Sequence, residues 1–524
     1  MVRLDCVAII EPMNSKRLLV SLYIVLIAST FNIHSQSLSA FVIDSVSQQP
    51  IPYATVQLKE KGVITNEEGN FNFILNETIS ETDSLIISSM GYETLAKPIS
   101  EFNNNRILLK PKAIELKEVI VSNKNYTADE IIDLVEENMG KNYSNDLTKK
   151  RLFHRESSFN RWTQSNFKVK KSTIDVLNQK FIDSVISSVP KNDSYYSEIV
   201  GDLYGNYDTE VQKLDLLKAS KLFDKETEID YEKLEKKFNE ILKENVKPGS
   251  YFKIKSGLLS FKIDTDEVNQ LFEEDVDSTD VVSLNKELEE KKKNKEEEQK
   301  NYGKWKRNNL AGILSTLPTQ EDSDLNFISK SRKYDFTLQE FTYLGNDAVY
   351  VISFQPSGSA NFEGSLYINA DDFAILEIDY INVKPINKFN LLGISANKYL
   401  SKGKIIYNKG SNGFYGLRYL ESELGERVGV RRPLKIIEKN KIVKGKNKQN
   451  ELSGDMDFVF NNVVKNEVII FESESISQAT FDAFTENNAI SPMYMPKYDP
   501  EFWKGYAIME PNTAIKEFTS TSSE

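Results

Sequence analysis

From Leu38 to about Lys110 apolar and polar positions alternate in short runs, as in Phe41-Val42-Ile43, Ala54 to Leu58, Phe71 to Leu75 and Ser84 to Ile87. A period of two over a few residues is the signature of half-buried strands. Gly62, the Asn66 to Gly69 cluster and Gly91 divide the runs, because turns need residues that tolerate positive φ or bond their own backbone. A small β-sandwich is expected over residues 37–112, followed by a linker at 113–126.

The period then changes. Thr127-Ala128-Asp129-Glu130 forms a capping box before Ile131, Ile132, Leu134 and Val135, which predicts a helix to about Met139. A strand is expected near Phe153 to Glu156. Helical spacing returns in Ile174, Val176, Leu177, Phe181 and Val185, and in Leu234, Phe238, Ile241 and Leu242. Residues 127–285 therefore read as the helix-rich part of an α+β domain. Lys286 to Lys300 is nearly all Lys and Glu with little apolar face, which places a charged hinge at 286–307. Alternation resumes in Tyr334 to Leu338, Ala348 to Phe354, Ser365 to Ile368 and Ala374 to Tyr380, with turns at Gly345 to Asp347 and Ala370 to Asp372. Residues 308–524 read as an antiparallel meander, extended by strands near Lys404 to Tyr407, Phe414 to Tyr419 and Phe458 to Val463. An aromatic tail, Tyr498 to Tyr506 with Glu510-Pro511, is expected to pack back on it.

A chain of 524 residues predicts two or three domains. The 66 basic and 78 acidic residues give a net charge of −12, which repels phosphate backbones and disfavours nucleic acid as a partner. Lys16 and Arg17 precede an apolar stretch, Leu18 to Ala28, and a polar run ending near Gln36, the layout of a signal peptide over residues 1–36. Met13 directly before the basic pair suggests that 1–12 is an upstream extension. The apolar stretch is shorter than the roughly 20 residues of a spanning helix, and no later segment reaches that length, so no membrane span is expected in the mature chain. With Cys6 and His34 both in the leader, only His154 remains. Disulfides, thiol nucleophiles and Cys- or paired-His zinc sites then lack their residues, and no cofactor is expected.

The segments Val42-Ile43-Asp44, Pro50 to Val56, Thr65-Asn66-Glu67-Glu68-Gly69-Asn70-Phe71 and Ser89-Met90-Gly91-Tyr92 resemble the carboxypeptidase-regulatory-like domain. That resemblance implies a seven-stranded, transthyretin-like β-sandwich, not itself catalytic, of the kind found beside metallocarboxypeptidases and at the front of TonB-dependent receptors of the Gram-negative envelope. Ala40 replaces the family's early Gly, which puts a bulge in the first strand in doubt. The stretch Phe153 to Glu156 and the tail resemble segments of uncharacterised envelope proteins with the same sandwich. The strand rhythm after Tyr334 is similar to the half-barrel of periplasmic lipoprotein carriers, in which a curved sheet wraps helices around an apolar concavity.

Four groups are candidates for chemistry. Asp275 to Asp280 alternates carboxylates as a calcium loop does, but has no Gly at its sixth place and no Glu at its twelfth, so an acidic solvated loop is the simpler reading. His154 beside Glu156 has the makings of a general-base pair without a marked nucleophile. Asp371, Asp372, Glu377 and Asp379 offer carboxylates suited to a glycosidic bond, or simply turn residues. Tyr350, Phe354, Tyr367, Phe373 and Tyr380 line a ligand cavity or fill a core, with Tyr350, Phe354, Tyr367 and Tyr380 the candidate cavity residues. Together these features predict a mainly β, α+β protein: a transthyretin-like sandwich, a helical segment and a curved, half-barrel-like antiparallel sheet. The expected role is an exported, non-catalytic binding or scaffolding protein, periplasmic or associated with the outer membrane. Its expected partner is an envelope protein or a lipid-like ligand. The rivals are a carboxylate-only hydrolase acting on surface glycan and an accessory factor for TonB-dependent transport or outer-membrane assembly.

Overall fold

The computed structural model describes residues 36–520 except 60, 76–78, 103–104, 113–125, 209, 248, 264–292, 294–296, 298–300, 321–322, 441–446 and 487–488. The expected leader, the linker, most of the Lys/Glu run and the acidic stretch Asp275 to Asp280 lie outside the described residues.

The sandwich has seven strands: β1 (Gln36–Asp44), β2 (Thr55–Leu58), β3 (Lys61–Ile64), β4 (Asn70–Leu75), β5 (Ser84–Ser88), β6 (Leu95–Pro98) and β7 (Arg106–Leu109). They form two sheets, β4-β1-β7 and β3-β2-β5-β6. Alternation does what it predicted: Leu85 and Ile87 point into the core with Val42, Val56 and Phe73, while Ile86 is exposed. The β1–β4 register is unbroken from Gln36 to Phe41, so Ala40 sits in a regular strand and is buried. Gly69 adopts φ +75° at the turn before β4, where a Cβ would lie 2.7 Å from the Val42 carbonyl.

The second unit opens with α1 (Ala128–Asn142), closed at its start by the expected Thr127/Glu130 capping box. Then follow β8 (Thr148–Ser172), α2 (Gln179–Ser188), β9 (Asn192–Gly205), β10 (Gln212–Leu222), α3 (Lys225–Asn245), β11 (Ser250–Ser256) and β12 (Leu259–Ile263). The stretch expected to be helix-rich instead carries more strand than helix: helices form at Phe181 to Val185 and Leu234 to Leu242, but Ile174 to Leu177 lie in a turn, and the three strands β8, β9 and β10 separate the helices. β9 was unreadable as a strand because Tyr196 to Leu203 is buried throughout, and a strand covered on both faces shows no alternation. Residues 301–314 form α4. The meander is β13 (Tyr334–Leu344), β14 (Asp347–Pro356), β15 (Phe362–Asn369) and β16 (Ile375–Asn382). Next come β17 (Asn387–Leu391) and three long strands, β18 (Ile394–Lys409), β19 (Tyr415–Asn440) and β20 (Lys448–Ser475), then α5 (Gln478–Ala483), β21 (Met493–Met495) and α6 (Thr513–Lys516).

All strands from β8 onward belong to one curved, unclosed sheet in the order β13-β14-β15-β16-β18-β19-β20-β8-β9-β10-β21, with β17 on β18 and the β11–β12 hairpin on β19. Its inner face carries Leu152, Ile352, Phe354, Leu366, Ile378 and Val468, covered by Ile131 and Val135 of α1 and Leu310 and Leu314 of α4. Its outer face carries Phe153, Val200, Tyr419 and Ile469, covered by the sandwich and by Trp503, Ile508 and Met509 of the tail. Tyr53 of the sandwich stacks on Tyr419 at 5.3 Å, and both hydroxyls donate to Glu421 at 3.0 Å. Under the tail, Arg155 Nε donates to Glu198 at 2.6 Å and Nη2 to the Met509 carbonyl at 2.8 Å, while Trp503 Nε1 donates to the other Glu198 oxygen at 2.9 Å. Both charges are almost fully buried. Removing one partner strands the other in a low-dielectric site, so Arg155→Leu is expected to lower unfolding free energy by about 3–5 kcal/mol. Denaturant titration followed by Trp fluorescence measures this, and a change below about 1 kcal/mol would show that the pair is not the tail's anchor.

Candidate ligand-binding site

Helix α4 lies across the inner face through one buried stripe. Tyr302, Lys306, Leu310, Ile313 and Leu314 recur at helical spacing and all point to the sheet. Where the sheet curves away from the helix a cavity of about 320 Å³ remains. Ile313 and Leu325 roof it, Phe362, Tyr380 and Leu424 floor it together with the polar Ser401, Ser422 and Asn466, and Asn308, Asp324 and Lys398 complete the lining. Gly312 also lines it, and a Cβ there would meet nothing within 4 Å. The floor depends on a second glycine. The Tyr380 ring lies over Gly403, where a Cβ would come within 2.7 Å of the Tyr380 hydroxyl and 2.2 Å of the Glu421 carbonyl.

The cavity ends against a buried polar cluster. On β8, His154 and Glu156 face inward, out of phase with Phe153 and Arg155, which face the sandwich and tail. His154 Nε2 shares a hydrogen bond of 3.0 Å with Asn466 Oδ1, and its Nδ1 has no hydrogen-bond partner in the described structure. Glu156 accepts from Asn309 Nδ2 at 2.7 Å and lies 3.6 Å from Lys306 Nζ, an ion pair without a hydrogen bond. Burial, and then the nearby Lys306 charge, push His154 down to about 3. Burial likewise lowers Lys306 to about 8, against the opposing pull of Glu156. His154 is thus a neutral imidazole with one partner, and no described side chain is placed to serve it as a nucleophile. Among the described residues no group of His, Cys, Asp and Glu is arranged to hold a metal ion.

Of the four aromatics singled out from the sequence, only Tyr380 lines this cavity. Phe354 is core, stacked on Phe327 at 4.5 Å, and Tyr350 packs in the same core against Phe341 at 4.8 Å. Tyr367 pairs with Val351 and Glu377, a register that puts it on the outer face beside Lys404. Phe373 occupies a turn at φ 58°, edge-on to Tyr126. The carboxylates are engaged as well. Glu377 and Asp379 share Lys404, the latter at 2.7 Å, and Asp372 accepts from Lys409 at 2.9 Å and Tyr415 at 3.0 Å. A second, more open cavity of about 360 Å³ lies between Tyr53 of the sandwich and Asp379, Lys404 and Glu421 of the sheet. The α4 residues were missed, and their only sequence signal was Gly312 inside an amphipathic run.

Residues 40–121 match the family model of the CarboxypepD_reg-like domain, so the N-terminal sandwich is the domain its motifs indicated. No curated protein matches this chain. Among solved structures, the chain is similar to a LolA superfamily protein from Nitrosomonas europaea, with 8% identity, 68% of this chain and 98% of that one covered, and a TM-score of 0.16. It is also similar to a DUF1329 family protein from Desulfovibrio piger, with 9% identity, the same coverage and a TM-score of 0.17.

The cluster has a pH consequence. Because His154 is held down to about 3 when folded, the unfolded chain alone takes up this proton below its ordinary value near 6.5. Stability from this group is complete above about pH 6.5 and is lost as pH falls toward 3, by about 1.4 kcal/mol per pH unit. His154→Gln should flatten the pH dependence of unfolding by that slope between pH 6 and 4. Equal slopes for the two proteins would place His154 in contact with water.

Proposed function

We propose that this chain is an exported, non-catalytic binding protein of the cell envelope that holds an apolar chain between α4 and the inner face of its sheet. The observation that carries the proposal is the cavity itself: its surface is mainly apolar, from Ile313, Leu325, Phe362, Tyr380 and Leu424, with Ser401, Ser422, Asp324 and Lys398 interspersed, and its volume is at the small end of the about 300–1,000 Å³ range of ligand pockets. An apolar chain gains by leaving water for such a site, and Lys398 and Asn308 at the edge suit a polar headgroup. Three of the four candidate carboxylates, Asp372, Glu377 and Asp379, are bound in Lys409 and Lys404 ion pairs and Asp371 is exposed in its turn, which favours binding over bond chemistry. No described helix is long and apolar enough to cross a membrane.

Gly312 supplies the test. Gly312 is exposed where it lines the cavity, so Gly312→Leu puts a side chain at the cavity's mouth while improving helix propensity by up to about 1 kcal/mol, and is expected to hinder binding without unfolding the chain. Native mass spectrometry of protein purified from its own envelope should show a lipid-sized adduct on the wild type, absent from Gly312→Leu, with the melting temperature held or raised. Bare masses for both proteins, or the same adduct on both, would overturn the reading.

A further inference from the structure

The inner face continues beyond the cavity. After one polar row, Asn387-Lys398-Glu426-Asn462-Asn160, the register lines up Phe389, Ala396, Val428, Phe460 and Trp162 as direct cross-strand partners over five strands. Directly opposite residues share a face, so this row is apolar from one side of the sheet to the other. Phe389 and Val428 are exposed, and Trp162 contacts Phe460 at 4.9 Å.

At the β17 side the row reaches an unusual edge. The β17–β18 hairpin pairs with β19 up to Val430, and the β11–β12 hairpin pairs with β19 from Lys435 onward, so the two hairpins meet turn to turn along one strand. Arg432, itself buried, clasps them: Nε donates to Ser256 Oγ at 2.8 Å and Nη1 to the Leu392 carbonyl at 2.6 Å. Register puts Phe389 and Leu391 of β17, and Leu259 and Phe261 of β12, on the inner face, with Leu258 and Leu392 at the two turns. All six are exposed, Leu258 to 91%, Phe261 to 60%, and Leu391 and Leu392 to 57% each. A contiguous exposed apolar edge of this kind marks an interaction surface.

Charge identifies the partner. In a chain of net charge −12, the hairpin residues 250–263 and 387–398 contain Lys253, Lys255, Lys262, Lys388 and Lys398 and no carboxylate. Arg431 and Lys435 of β19 pair with Asp457 and Glu451, and Lys253, Lys255, Lys262 and Lys388 lie on the face opposite the apolar side chains, with Lys262 over the Tyr251 ring. An edge that is apolar on one side and basic on the other suits an interface where acyl chains meet anionic headgroups, with lysine stems reaching from one to the other. Two copies would set like charges against each other.

We propose that the clasped β11–β12 and β17–β18 hairpins dock this protein on an anionic lipid bilayer, with Leu258, Leu391, Leu392 and Phe261 entering the interface. The inference is independent of the cavity's ligand, and Gly312→Leu should dock as the wild type does. The test is co-sedimentation of the full chain with vesicles of phosphatidylglycerol and phosphatidylethanolamine, against vesicles of phosphatidylcholine alone. Binding is expected to the anionic vesicles, weakened by salt, and reduced about ten-fold or more by the double substitution Leu258→Asp, Leu392→Asp. Because both side chains are exposed, a folding defect is separable: Leu258→Trp should shift its emission to the blue on anionic vesicles alone. No co-sedimentation, equal binding to both vesicles, or binding indifferent to the Asp pair would overturn the proposal. So would a concentration-dependent dimer in sedimentation velocity that the same pair abolishes, which would assign the edge to a second copy.

Discussion

An open sheet that is apolar on both faces cannot stand in water, and the rest of this molecule is arranged to cover it. Strand β8 shows the constraint within a few residues: Leu152 points inward while Phe153 points outward, and each is fully buried. At about 1.5–3 kcal/mol for each large apolar side chain buried, neither face can be left bare. Short rods serve the inner face, where α1 and α4 lie against the curvature. A second sheet and a long irregular tail serve the outer one. A cylinder laid on a curved surface touches it along a stripe, so the space beside the α4 stripe follows from the covering itself, and Gly312 leaves that space open.

The two coverings differ in how their polar groups are satisfied. On the outer face the buried Arg155 reaches Glu198 and the Met509 carbonyl, and Glu198 takes Trp503 as well, so the charges are matched and hydrogen-bonded. Beneath α4 the matching is looser, with Lys306 at 3.6 Å from Glu156 and His154 bonded on one nitrogen. Buried groups with incomplete partners cost free energy that the surrounding apolar contacts must offset. The α4 seat is consequently the one whose polar groups are less completely satisfied. This is the covering that borders the cavity.

What the sequence reveals follows the same geometry. Strands with one wet face, such as β5, announce themselves by alternation, and α1 does so by its capping box. β9 does not, because cover on both sides erases the period. The long strands were legible only in part, since β19 carries charged residues from Glu421 to Arg432 that resemble loop composition yet sit in continuous register with β20. The cavity was the hardest feature to read. Tyr350 and Tyr367 look alike in their strands, but Tyr350 pairs with Ile368 on the core side while Tyr367 pairs with Val351 on the other. Register of that kind is set by partner strands, and a slip of one residue exchanges the faces. Which inner-face aromatic meets open space is decided by where α4 lies, information carried by a helix far along the chain.

The residues that mark the sandwich's family most specifically are also used up by folding. Thr65 is fully buried, its hydroxyl accepting from the Ala54 amide at 2.8 Å and donating to the Ile51 carbonyl at 2.9 Å. Asn66 Oδ1 accepts from the amides of Glu68 and Asn70 at 3.0 and 2.8 Å, and its Nδ2 donates to the Glu510 and Pro511 carbonyls of the tail at 3.3 Å. Such a turn is a poor place for chemistry, since every polar atom that would meet a substrate is already committed. The same contacts make it a good place for assembly. One side chain shapes its own hairpin and holds the segment that closes over Arg155, tying the sandwich to the outer face of the sheet. On this arrangement the motif specifies how the sandwich is seated, and the open space lies on the opposite face, where the covering is incomplete.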